Sequence, residues 1–241
     1  MKVVALIPAR YAASRFPGKL MQPLGNKTVI GHTVEATQAT LLFDEVIVVT
    51  DSDEIEAEIK RIGAVCKRST QVYESGTDRI AAIAKEMEVD LILNVQGDTP
   101  FIKKEPLAAL IKEFTDTSVH VASLMQPIQH AKLVQEHSVV KVVTDLNNDA
   151  LYFSRSPIPY NRDKSSSTTY YEHIGVYAFR KKALLEFTTW PVSSLESIEK
   201  LEQLRYLEHG VKIRMVKTDY SSIAIDTPED LVRANIHLAN I

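Results

Sequence analysis

Cysteine is nearly absent. Cys66 is the 1 cysteine in 241 residues, so no intrachain disulfide can form and no thiolate zinc cluster can be built. The lone thiol reads as a small buried hydrophobe rather than a nucleophile. Glycine is sparse, with 8 in the chain, and none falls into a GxGxxG turn or a Walker A loop, which argues against dinucleotide-binding and P-loop ATPase readings. Long apolar runs are missing too. Nothing approaches the roughly 20 residues of a membrane span, and the opening MKVVALIPAR is too short for a signal h-region and lacks a small-residue cleavage site. The expectation is a soluble cytoplasmic protein. A basic arm is also lacking. The net charge is −3 with Lys and Arg spread along the chain, which gives no electrostatic footprint for nucleic acid. An anionic ligand must therefore be held by a few local cations.

What is present is a well-stocked core, 45% hydrophobic, arranged in alternating periods. Val3–Ile7, Glu45–Thr50 and Leu91–Val95 are short apolar runs that read as buried strands. Helices are expected from Thr28 to about Leu41, from Ser52 or Asp53 to about Ile62, and over Thr77–Glu88. Strands apolar on both faces and alternating with helices predict a doubly wound, Rossmann-like α/β fold with a mostly parallel sheet. The second half changes texture. Val119–Leu124, Val139–Thr144, Tyr152–Phe153, Ile174–Phe179 and Val211–Val216 are strand-like, with a turn at 147–149. Residues 156–169 carry two prolines and a polar run, predicting a mobile loop. One helix is expected over Ser194–Glu208, with Ile198, Leu201, Leu204 and Leu207 inward, and another opened by Pro228. This half reads as a smaller mixed α+β lid or dimerisation subdomain. The domain expectation is a nucleotide-binding half over 1–115, a sugar-binding and dimerisation half over roughly 116–220, and 221–241 packing back on the sheet.

Two constellations carry chemistry. Ligands of open α/β sheets bind outside the carboxyl ends of the strands, and the loop after the first strand, IPARYAASRFPGK, places Arg10, Arg15 and Lys19 there. Three cations and free backbone amides suit a triphosphate and its leaving pyrophosphate. Further on, Asp98 follows the third strand and Asp226 follows a short apolar run before the Pro228 helix. Two strand-end carboxylates suit Mg2+, which takes few protein ligands and completes its shell with phosphate oxygens and water. Each aspartate alone could equally be a turn or helix-capping residue; the cationic loop tips the pair toward metal ligation.

Along essentially its whole length the chain resembles the Kdo (3-deoxy-manno-octulosonate) cytidylyltransferases, or CMP-Kdo synthetases, of lipopolysaccharide biosynthesis. The motifs are IPARYAASRFPGK (7–19), ESGTDR (74–79), NVQGD (94–98), VKVV (140–143), ALYFSRSPIP (150–159), HIGVYAFR (173–180), LESIEKLEQLR (195–205) and IDTPEDL (225–231). The resemblance implies transfer of CMP from CTP to Kdo with release of pyrophosphate, a GT-A-like fold, Mg2+ as cofactor and a homodimer. It implies that Ala9, Arg10, Arg15, Lys19, Ser75, Gly76, Thr77, Arg79 and Gln96 bind CTP and that Asp98 and Asp226 hold magnesium. It implies that Gln96, Arg155, His173, Tyr177, Glu202 and Gln203 line the sugar site. The catalytic set is Arg10, Arg15, Lys19, Asp98 and Asp226.

The chain departs from the family pattern at Leu20, Thr99 and Ala224, where Pro, Glu and Gly are usual. None of the three removes a residue assigned to chemistry. The alternatives are a cytidylyltransferase for another sugar acid, such as 8-amino-Kdo, and a non-catalytic nucleotide-binding protein.

Overall fold

The computed structural model describes all residues except 13–15, 70, 72, 74, 164–167, 221, 222 and 241. The chain divides into two compact units, Met1–Leu107 with Ser222–Ile241, and Ala108–Ser221. Among the described residues, no helix is long and apolar enough to cross a membrane.

In the first unit the elements are β1 (Val3–Ala9), a short hairpin of β2 (Pro23–Leu24) and β3 (Lys27–Thr28), α1 (Val29–Ala39), β4 (Glu45–Thr50), α2 (Asp53–Arg61), β5 (Val65–Arg68), α3 (Gly76–Lys85) and β6 (Leu91–Asn94). Helix starts follow local chemistry. Thr28, Ser52 and Ser75 are the N-caps of α1, α2 and α3, each accepting a bond from the backbone N–H three residues on. The sheet is parallel in the order β6-β1-β4-β5. β1 is the central strand, with Val4 through Ile7 wholly buried. The chain steps outward from β1 to β4 and β5, then returns to the other side of β1 as β6. That reversal is the topological switch point where α/β sheets open a crevice.

Helix α4 (Lys104–Glu113) leads into the second unit, which holds β7 (Val121–Pro127), α5 (Ala131–Gln135), β8 (Lys141–Thr144), β9 (Ala150–Ser154), β10 (Tyr171–Arg180), α6 (Lys181–Phe187), α7 (Ser194–Glu199), α8 (Leu204–Glu208) and β11 (Ile213–Lys217). Here β11 runs parallel to β7, while β7–β10, β10–β8 and β8–β9 are antiparallel. The pairing of β10 with β7 shifts register between Ile174 and Tyr177, a bulge. The chain then returns to the first unit and ends in α9 (Pro228–Leu238).

The expected helix over Ser194–Glu208 is instead two short helices, α7 and α8, broken where Lys200 takes the left-handed φ of 55°. Arg155 supplies the reason. Its guanidinium donates to the Glu199 and Lys200 carbonyls at 2.8 and 3.3 Å, and the Glu199 carboxylate accepts from Ser154 Oγ and the Arg155 amide. Carbonyls that a continuous helix would bond internally are satisfied laterally, so the helix stops. Glu199, Glu202 and Tyr206 therefore do not share one helix face, and Ile198, expected inward, is 75% exposed.

Two buried cations hold this unit together. Lys141 is fully buried, and its ammonium donates to the carbonyls of Glu136, Val139 and Arg155 at 3.0, 2.6 and 2.5 Å. Burial pushes its pKa down. Arg205 makes a bidentate pair with Glu196 at 2.7 and 2.6 Å and lies 4.1 Å over the Phe187 ring. Removing one partner from such a pair strands the other charge. Glu196→Ala is expected to cost about 3–5 kcal/mol in urea unfolding, whereas Glu196→Leu with Arg205→Met should recover most of that loss.

Candidate active site

The loop after β1 and the loop after β6 leave the sheet side by side at the switch point. A cavity of about 290 Å³ opens there, lined among others by Ala9, Arg10, Lys19, Ser75, Gly76, Arg79, Gln96, Asp98 and Asp226. These residues belong to the sequence-predicted set. The cavity also takes in Pro8, Phe16, Leu20, Tyr73 and Gly97.

The chain brings Asp98 and Asp226 together through the backbone. The Ile225 amide donates to the Asp98 carbonyl at 2.9 Å, clamping the return segment to the end of β6. Thr227, not Asp226, is the N-cap of α9, in a capping box with Asp230 and with Pro228 in the first turn. The Asp226 carboxylate is thereby left for other work. It meets Lys19, whose ammonium lies 2.5 Å from Asp98 Oδ2 and 2.9 Å from Asp226 Oδ1. Burial pulls the Lys19 pKa down, but the two carboxylates outweigh it and hold the group above its ordinary value. One ammonium cannot neutralise two carboxylates, so the trio keeps negative charge suited to a second cation.

Two carboxylates converging on one cation are the donor chemistry Mg2+ takes, with its other positions left to phosphate and water. Among the described residues no group of three or more His, Cys, Asp or Glu could form a full metal cage. Gly97 lies between the two functional loops, and a Cβ there would come within 3.2 Å of the Pro8 carbonyl and the Ile30 side chain. Thr99, where the family usually carries an acid, is 5% exposed and donates its hydroxyl to the Gln96 carbonyl at 2.7 Å, bracing the turn that carries Asp98.

Of the other predicted nucleotide residues, Arg10 is exposed at the cavity, while Ser75 and Gly76 open α3 there. Exposed first-turn amides of a helix suit an anion. Arg79 lines the cavity but is 5% exposed, and its guanidinium donates to Ser69 and Asp51 at 2.6 and 2.8 Å. It braces β5 against α3 as well as bordering the cavity. Asp51 answers in kind: burial raises its pKa, but Arg79 more than offsets this and the net shift is downward. Thr77 is buried at 1% and does not line the cavity. Arg15 lies outside the described residues.

Of the predicted sugar residues, Gln96 belongs to the first unit and lines the cavity described above, whereas Arg155, His173, Tyr177, Glu202 and Gln203 belong to the second unit. His173, Tyr177 and Gln203 cluster, with the His173 ring 5.3 Å from Tyr177 and 5.0 Å from Phe153. Gln203 Nε2 reaches His173 Nδ1 at 3.5 Å. Burial pushes the Tyr177 phenol well above its ordinary pKa, and Glu202 reinforces the shift. Arg155 spends three of its N–H groups on the carbonyls of His137, Glu199 and Lys200, so it is a strut of this unit whatever else it contacts. Sequence reasoning did not single out Ser123 or Lys141 as supports of these side chains, and it set Glu199 on a helix face with Glu202 and Tyr206, where the structure pairs it with Arg155. A buried Ser or Lys leaves no periodic signal in a sequence.

Burial lowers the His173 pKa from 6.5 to about 3. The unfolded chain therefore takes up a proton below pH 6.5 that the folded chain refuses, so stability falls as pH drops from about 6.5 towards 3. At pH 5 this single group should cost roughly 2 kcal/mol relative to pH 8. Urea unfolding of wild type and His173→Gln at both pH values should show the variant losing less.

A family model described as cytidylyltransferase matches residues 4–213. The chain is 52% identical over 236 residues to a 3-deoxy-manno-octulosonate cytidylyltransferase of Christiangramia forsetii, covering 97% of this chain and 95% of that protein. It is 52% identical over 244 residues to a protein of the same name from Flavobacterium johnsoniae, covering 100% of both. A solved structure of a CMP:2-keto-3-deoxy-manno-octonic acid synthetase complexed with CTP superposes with a TM-score of 0.95 at 36% identity, over 100% of this chain and 99% of that one. Similarity of this order, carried along the full chain and through the switch-point loops, makes the protein a member of the 3-deoxy-manno-octulosonate cytidylyltransferase family.

Proposed function

We propose that this enzyme transfers CMP from CTP to 3-deoxy-manno-octulosonate, releasing pyrophosphate and activating the sugar acid for lipopolysaccharide biosynthesis in the cytoplasm. The observation that carries the reading is the meeting of Lys19, Asp98 and Asp226 at the edge of the switch-point cavity, in a chain of this family.

Phosphoryl chemistry asks for positioning and charge stabilisation more than for a covalent catalyst. Arg10, Lys19 and Arg15 neutralise the triphosphate and steady the departing pyrophosphate. The backbone amides of the N-cap Ser75 and of Gly76 donate to phosphate oxygens, and Ala9, Arg79 and Gln96 shape the nucleotide end, with Thr77 buried in the first turn of α3 and acting from behind. The anomeric hydroxyl of the sugar attacks the α-phosphorus in line. The new O–P bond forms as the bond to pyrophosphate breaks, and the hydroxyl proton passes to solvent water. Asp98 and Asp226 would hold Mg2+, which when bound stabilises charge on the α-phosphate and lowers the pKa of the attacking hydroxyl. Arg155, His173, Tyr177, Glu202, Gln203 and Gln96 bind the sugar acid.

Pyrophosphate release measured across nucleotides and sugar acids tests this directly. CTP with Kdo should be the preferred pair and UTP a weak second. Comparable rates with ATP, or use of 8-amino-Kdo with neglect of Kdo, would change the substrate assigned. Asp98→Asn and Asp226→Asn should each lower turnover by on the order of a thousandfold or more with the circular dichroism spectrum unchanged. Near-normal turnover in either would return that aspartate to a turn role.

A homodimer is the proposed assembly. Leu151, Tyr160 and Ile198 in the second unit are 62%, 87% and 75% exposed, and exposed apolar surface of this kind marks interfaces closed by two-fold symmetry. Of Tyr152, Phe153, Ile158 and Tyr160, the apolar residues the sequence offers for such an interface, Tyr160 is exposed and Phe153 is fully buried. Light scattering at micromolar concentration should give twice the 27.0 kDa chain mass.

A further inference from the structure

At the bulge between β7 and β10, one buried hydroxyl meets three groups. Ser123 is fully buried. Its Oγ lies 2.9 Å from the Val176 carbonyl, 3.2 Å from the Ile174 carbonyl and 2.9 Å from His173 Nε2. The bulge is what turns both carbonyls toward it, because the register with β7 slips between Ile174 and Tyr177.

A serine hydroxyl has one proton to give. Carbonyl oxygens only accept, so if that proton went to His173, two carbonyl oxygens would face the Ser123 oxygen with no hydrogen between them. In a dry site that arrangement is costly. The proton therefore goes to a carbonyl, and His173 Nε2 must carry a hydrogen and donate to Ser123. Its Nδ1 is then the bare, accepting nitrogen. The group facing Nδ1 is the Gln203 carboxamide, and only its NH2 end can satisfy a bare nitrogen. Gln203 is 4% exposed and directly precedes α8, so little freedom remains to it once that end is assigned.

We propose that Ser123 is a positioning residue for the sugar site: it fixes His173 as the Nε2–H tautomer and so turns Gln203 to present its carboxamide oxygen, an acceptor, to a hydroxyl of the sugar acid. The chemistry read by this corner is a hydroxyl donor, and the carboxylate must be bound elsewhere. His173 stays neutral through the working pH range, so the setting does not change with pH. The assignment of the sugar to this cluster rests on the function proposed above.

The test begins without substrate. Long-range 1H–15N correlation spectra of the full-length protein labelled at histidine should show His173 with a protonated Nε2 and an unprotonated Nδ1. A protonated Nδ1 would overturn the proposal. In Ser123→Ala that tautomer should be lost or mixed, and the KM for Kdo should rise about tenfold, the worth of one misplaced hydrogen bond, with the KM for CTP within twofold. A variant that kept the wild-type spectrum and KM would refute the role of Ser123. Gln203→Glu gives an independent arm if Ser123→Ala fails to fold. A carboxylate against a bare Nδ1 should draw a proton onto that nitrogen, whereas an unchanged His173 spectrum would refute the assignment. Failure of the function reading is distinguishable: wild type would show the assigned tautomer yet release no pyrophosphate with Kdo, and the sugar half of the proposal would fall with it.

Discussion

The candidate active site depends on the meeting of one ammonium with two carboxylates that are 128 positions apart in the chain, as Asp98 and Asp226 are. Like charges do not gather unaided. The backbone bond from Ile225 to the Asp98 carbonyl brings the segments together, and Lys19 makes the approach tolerable. Around that meeting the other loops are tailored. A Cβ at Gly97 would crowd the Pro8 carbonyl and the Ile30 side chain, Thr99 braces the turn, and Thr227 and Asp230 supply the capping box that starts α9. Under the proposed function, a divalent cation and a triphosphate would meet carboxylates already gathered and cations already at hand, which would leave little reorganisation for the moment of binding.

The second unit uses a different device. Its side chains are held by main-chain carbonyls that regular structure has released. Arg155 collects those at the break between α7 and α8, Lys141 collects three from separate segments, and the Ser123 hydroxyl, with one proton, faces both carbonyls of the bulge. At these irregularities a named donor stands against carbonyls that regular structure has released. The result is a cluster of aromatic and amide groups with fixed hydrogen-bond polarity, well suited to distinguishing hydroxyls.

Much of the first unit was legible because its strands are short apolar runs and its helices start on Thr or Ser caps. Glu45–Thr50 matches the expected strand residue for residue, and the caps at Thr28 and Ser52 fall where the side chains suggested. Less was visible where the cause is nonlocal. The four-residue strand Val65–Arg68 has little apolar content and forms because it can pair with β4. The apolar spacing over 194–208 promised a single helix, but Arg155, some 45 residues earlier, competes for its carbonyls. Phe153 looked like interface surface and is core.

The sequence by itself determined the α/β class, the cationic loop after the first strand, the two candidate aspartates and, through its motifs, the family. These follow from local composition, periodicity and residue identity, which the chain carries in linear order. The tertiary structure alone decided that Lys19 joins Asp98 to Asp226, that Thr227 takes the cap of α9, that Arg79 is pinned by Ser69 and Asp51, and that His173 meets the buried Ser123 hydroxyl on one side and the Gln203 carboxamide on the other. Those outcomes depend on which donors and acceptors are buried together, and burial is a property of packing that no stretch of sequence contains.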